Sequence, residues 1–130
     1  MTRPIQDPVL IAGVLRSGVR LLASILDGHP LLGSGPELPF MVTMARQWQE
    51  MRATLGENHA RHYHLSPEDV RARFRASALE IVMPRALHAG KTRFVLHSFA
   101  ASVSLEALAE LFPQAKIILT LRDPRDVVRS

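Results

Sequence analysis

The chain has 130 residues, 47% of them hydrophobic, no cysteine, and a formal net charge of +4. That length allows one domain with a single modest core, and the missing cysteines exclude disulfides and thiolate metal sites. The basic residues are spread along the chain and aromatics make up only 5%, so small anionic ligands are expected rather than nucleic acid. Only Lys91 and Lys116 are lysines among the basic residues, and the arginine fork suits bidentate contacts to phosphate or sulfate. No run reaches the roughly 18 apolar residues of a membrane span, and no apolar leader precedes the first strand. A soluble cytoplasmic protein with no membrane partner is the default expectation.

In chain order, residues 8–12 read as a short apolar strand and Val19 to Leu26 as the helix that follows the Gly18 turn. Asp27-Gly-His-Pro30 ends it. Leu31 to Pro39, which holds two glycines and the two prolines Pro36 and Pro39, reads as a loop. Phe40 to about Arg52 is compatible with a helix carrying Met41, Met44 and Trp48 on one face, a stripe expected to pack in the core. Ala53 to Leu65 is polar and irregular. Ser66-Pro-Glu-Asp69 opens a helix with an N-cap serine, a proline in the first position and early acids, and the helix is expected to run to about Leu87. Thr92 to Leu96 reads as a second strand, Ser102 or Ser104 as the cap of a helix ending at Leu111, and Ala115 to Leu121 as a third strand. The order βαααβαβ predicts an α/β fold: a parallel sheet with helices on both faces. In such sheets ligands sit beyond the carboxyl ends of the strands, where Arg16, His97 and Arg122 fall.

Two segments share one layout, an apolar strand running into an arginine-bearing turn that opens a helix. They are Pro8 to Gly18 and Ala115 to Ser130. Each such turn aims backbone N–H groups and the positive end of a helix dipole at one point, so the pair implies a ligand with two anionic ends. The spacing Gly13-x-x-x-x-Gly18 matches the start of a phosphate loop, but Val19 and Arg20 stand where a nucleoside triphosphatase needs Lys and Ser/Thr. NTP hydrolysis is therefore disfavoured, and no metal is called for. Gly90-Lys91-Thr92 is a decoy, since it precedes a strand. His59, His62 and His64 match no standard zinc spacing and are expected to be solvated.

The segment Pro8 to Pro30 resembles the 5′-phosphosulfate loop of sulfotransferases that use 3′-phosphoadenosine 5′-phosphosulfate (PAPS), and Phe112 to Ser130 is similar to their 3′-phosphate motif. The resemblance implies a P-loop NTPase-like sulfotransferase fold, PAPS as cofactor, and sulfuryl transfer to a hydroxyl or amine acceptor. On that reading Arg16, Ser17 and Gly18 hold the 5′ end, with Arg16 on oxygens where charge grows. Val19 and Arg20 continue the loop, and Arg122 and Ser130 grip the 3′-phosphate. The resemblance makes Glu37 the catalytic base. It also puts His97 where similar enzymes carry a lysine that protonates or stabilises the leaving phosphate. Read without the resemblance, Glu37 is a solvated loop carboxylate and His97 a structural strand-end residue.

Val19-Arg20 departs from the two hydroxyl residues usual in that family. The lost hydroxyl corresponds to a hydrogen bond worth about 1.5–3 kcal/mol to a charged acceptor, which Arg20 offsets only if it faces the ligand. The resemblance also implies a longer protein, so residues 1–130 read as one partial domain, with apolar faces expected to need another chain. Two function classes remain: a sulfotransferase whose small-molecule, carbohydrate or protein acceptor is unspecified, and a non-catalytic or degenerate nucleotide-binding fragment. Transfer needs Glu37 and His97 at the ligand; binding needs only the two motifs.

Overall fold

The computed structural model describes residues 6–14, 16–36, 39–97 and 104–129. Glu37, Ser102 and Ser130 lie outside the described residues. The elements are β1 (Val9–Ala12), α1 (Val19–Asp27), β2 (Leu32–Gly33), α2 (Pro39–Thr54), α3 (Glu57–Tyr63), α4 (Pro67–His88), β3 (Arg93–His97), α5 (Leu105–Leu111), β4 (Lys116–Leu119) and α6 (Pro124–Arg129).

Among the described residues, four strands form one parallel sheet in the order β2-β3-β1-β4. β1 lies inside it, with Leu10 beside Leu96 on one neighbour and beside Ile117 on the other. All four β1 residues are buried, as an interior strand covered on both faces requires. Side chains alternate between two layers. Leu10, Phe94 and Leu96 pack with Met41, Trp48, Leu79, Met83 and Leu108 from α2, α4 and α5. Val9, Ile11 and Val95 pack with Ala23 and the inner side of α1, through Val19, Leu22 and Leu26. The expected parallel sheet with helices on both faces is the architecture found.

Local chemistry explains the helix limits. Ser66 Oγ accepts from the Asp69 N–H at 3.1 Å while Asp69 Oδ2 accepts from the Ser66 N–H at 2.9 Å, a reciprocal cap at the start of α4. These backbone and side-chain bonds from Ser66 hold the Asp69 carboxyl below its ordinary range. Ser104 does cap α5 by position, but its side chain makes no cap hydrogen bond.

Two expectations are corrected. The stretch read as a loop from Leu31 contains β2, whose two residues pair with Arg93 and Phe94. The polar stretch 53–65 contains α3, which buries none of its residues. Within α3, His59 Nδ1 accepts from the Gly56 N–H at 3.2 Å, and His62 Nδ1 lies 2.9 Å from the Asn58 carbonyl. Among the described residues no three His, Asp or Glu side chains are gathered as metal ligands.

At the amino ends of the strands, buried Asp7 ties several elements together. It pairs with Arg75 of α4 and accepts from the Gln114 N–H at 2.8 Å, while Arg93 donates to the Asp7 carbonyl at 2.7 Å. This clasp aligns the starts of β1, β3 and β4, and so fixes where their carboxyl ends fall. β4 is different from β1: Ile117 is 45% and Leu119 63% exposed. Among the described residues, no helix is long and apolar enough to cross a membrane.

Candidate anion-binding site at the carboxyl ends of the strands

β1 and β4 run side by side, and each ends in its arginine turn. Thr120 continues their ladder, donating its N–H to the Ala12 carbonyl at 2.9 Å. In the first turn Arg16 has φ 69° and Gly18 φ 96°, both left-handed. Such a conformation is costly for arginine and free for glycine, so the turn is held by its surroundings. Its supports are the Ser17 N–H to the Val14 carbonyl at 3.2 Å and the Ser17 hydroxyl to the same carbonyl at 2.6 Å. α1 then starts at Val19 with Gly18 at its N-cap. The first-turn amides of a helix have no intrahelical acceptors, which makes this end suited to an anion.

The second turn is built by its own residues. Asp123 Oδ1 accepts from the Arg125 N–H at 2.9 Å and the Asp123 carbonyl accepts from the Val127 N–H at 3.1 Å, which opens α6 with Pro124 as its first residue. The Arg125 guanidinium also bonds the Asp123 carboxylate at 2.9 Å. That side-chain bond, then the Arg125 N–H, keeps the Asp123 carboxyl below its ordinary value.

Two contacts join the turns. Arg122 donates from a guanidinium nitrogen to the Arg16 carbonyl at 2.8 Å, and Ser17 Oγ lies 2.7 Å from Thr120 Oγ1. The structure therefore brings together Arg16, Ser17, Gly18 and Arg122. Thr120 joins them without having been singled out in the sequence; an alternating strand offers no signal for it until the register between β1 and β4 is known.

His97 ends β3, the neighbour of β1 on the other side. Its Nε2 lies 2.9 Å from the Gly35 carbonyl, so that nitrogen carries the proton and donates. Nδ1 is buried and has no hydrogen-bond partner among the described residues. His97 thus anchors the segment two residues before Glu37. Arg20, Ser24, Gly35, Pro36, Arg85 and His97 line an open cleft of about 350 Å³ on this side. Arg20 lies on that cleft and is exposed, next to intermediate Val19. Lys91 is held elsewhere: its ammonium bonds the Asp27 carbonyl and, at 3.3 Å, the Asp27 carboxylate at the end of α1. The Ser34 N–H donates to the same carboxylate at 2.7 Å and is the largest cause of its lowered pKa.

The residues present suit two separate anionic groups. An open glycine at Gly18, where an added Cβ would meet nothing within 4 Å, leads into a helix start, and the exposed Arg122 stands on the adjoining strand end. Arg122 keeps further N–H donors beyond the one facing Arg16, since a guanidinium carries five.

Residues 8–130 match the profile of the sulfotransferase family. Protein-tyrosine sulfotransferase 1 of Danio rerio is 32% identical over 129 residues, which cover 94% of this chain and 34% of that protein. The human protein-tyrosine sulfotransferase 1 is 30% identical over 129 residues, covering 94% of this chain and 33% of that protein. The chain thus spans about a third of the length of these relatives. The solved structure of sulfotransferase STF9 from Mycobacterium avium aligns with a TM-score of 0.46 and 16% identity, covering 96% of this chain and 45% of that one. With its family profile matched from the first strand to the last residue, the chain belongs to the sulfotransferase family.

Proposed function

We propose that this chain forms the donor-binding part of a sulfotransferase that moves a sulfuryl group from PAPS to a hydroxyl or amine acceptor. The observation that carries the reading is the bond from Arg122 to the Arg16 carbonyl, which joins two arginine turns on adjacent parallel strands and supports reading them as one site for two anions. Family membership supports sulfuryl transfer as the reaction class. The names of the relatives make a tyrosine hydroxyl in a polypeptide the first acceptor to test.

When bound, PAPS supplies the sulfuryl group and a bisphosphorylated leaving nucleotide. Gly18 and the α1 amides would hold the 5′ side, and Arg16 would oppose charge that grows on the oxygens as the S–O bond breaks. Arg122, with Ser130, would hold the 3′-phosphate by charge-assisted bonds. Glu37 would take the acceptor's proton. His97 would keep the Glu37 segment in place through Gly35, and with Nε2 engaged there and Nδ1 buried neither ring nitrogen is open to a leaving group.

That last point favours a second reading, nucleotide binding without transfer. Calorimetric titration of the chain with 3′-phosphoadenosine 5′-phosphate, beside ATP and adenosine 5′-phosphate, tests both. Selective binding of the bisphosphate supports the donor site, and equal or absent binding contradicts it. Transfer of labelled sulfate to a tyrosine peptide, lost in Glu37→Ala, then separates the enzyme from the binding module.

A further inference from the structure

Three side chains meet above Gly13. A Cβ placed there would lie 2.0 Å from Thr120 Oγ1, 2.6 Å from Ser17 Oγ and 3.1 Å from Val19 Cγ2. Glycine is what lets the end of β4 close against the first turn. Val19 brings only a methyl group to this point, so Thr120 brings the hydroxyl that reaches Ser17.

The protons in this cluster can be assigned. The Val14 carbonyl can only accept, so the Ser17 hydroxyl donates its single proton there, at 2.6 Å. In the 2.7 Å contact Thr120 must therefore donate and Ser17 accept. The alternative acceptor for Thr120, the Ala12 carbonyl, is farther away at 3.4 Å. Ser17 is 8% exposed, so its oxygen depends on protein partners.

We propose that Thr120 is a positioning residue of the donor site, holding the Ser17 oxygen in place so that the Ser17 proton can turn from the Val14 carbonyl to an anion at the first turn. The inference rests on the donor-site reading above. With Thr120 donating, Ser17 Oγ keeps one partner throughout that rotation. Without it, turning the proton to a ligand removes the oxygen's last protein hydrogen bond. The same residue lies two positions before Arg122, so the strand that carries the second anion site also sets the serine of the first.

The test compares the full chain with Thr120→Val, which keeps the branched shape, and Thr120→Ser, which restores the hydroxyl. Two probes are titrated: 3′-phosphoadenosine 5′-phosphate and adenosine 3′-phosphate, which lacks the 5′ group. Thr120→Val should lose about three- to tenfold in affinity for the first, in line with one net hydrogen bond, with no change for the second. Thr120→Ser should recover the wild-type value. Ligand-free amide spectra give an independent reading: the Ser17 and Gly18 resonances should shift in Thr120→Val and return in Thr120→Ser. Equal losses for both nucleotides, or unmoved Ser17 and Gly18 resonances, would overturn the assignment. If the resonances shift but the wild-type chain binds no bisphosphate, the donor-site reading fails and Thr120 is reduced to a structural support of the turn.

Discussion

The two arginine turns look alike in sequence and are built in opposite ways. The first buries Ser17, holds Arg16 and Gly18 at positive φ, and leads into a helix packed on the sheet through Ala23. The second is exposed from Leu121 to Asp126, and α6 buries none of its described residues. Its shape comes from Asp123 and Arg125, and its attachment from Thr120 and Arg122 reaching back to the first turn. A common strand–turn–helix layout therefore yields one cradle shaped by buried contacts and one arm docked onto it. The cradle's geometry is set by folding; the arm's position depends on a few polar contacts.

The largest expected effect comes from wedging the two apart. Gly13→Ala places a Cβ against Thr120 and Ser17 and should cost about 1–3 kcal/mol in chemical denaturation, as overpacking does. An unfolding midpoint equal to wild type would mean the turns are not closely packed. Next is Arg122→Ala, which removes the arm's charged contact. Affinity for 3′-phosphoadenosine 5′-phosphate should fall about tenfold to a hundredfold, while adenosine 5′-phosphate binding is retained. Parallel losses for both nucleotides would show that Arg122 serves the first turn alone.

The smallest effect is a pH dependence confined to the arm. The Asp123 carboxyl is lowered from 3.8 by the Arg125 side chain and then its N–H. A depressed carboxyl stabilises the fold where it is ionised, so its contribution is full above pH 3.8 and is lost as pH falls through the lowered value. Amide-exchange protection at Arg125 should therefore drop in that acid range while protection in α1 persists. Simultaneous loss in both helices would erase the distinction between cradle and arm.

Much of this was legible before any coordinates. Apolar runs marked β1, β3 and β4, and Ser66-Pro67 marked the start of α4 to the residue, because burial and capping leave local patterns. The two-residue β2 was not legible: Leu32 and Gly33 form a strand only by pairing with Arg93 and Phe94, far along the chain. Nor was α3, whose exposed polar residues carry no apolar period. Within the site, Arg16, Ser17, Gly18 and Arg122 stood out as motif residues. Thr120 did not, since its meaning depends on a contact across 103 residues. His97 was placed correctly at a strand end, but its bond to the Gly35 carbonyl is again a tertiary fact.

The central claim is that both turns engage one ligand together. Titrating the isotope-labelled chain with 3′-phosphoadenosine 5′-phosphate, and following the backbone amides, tests it most directly. The account predicts that Ser17, Gly18 and Arg122 shift along a single saturation curve. Movement of one turn alone, or of the two at clearly different concentrations, would contradict it.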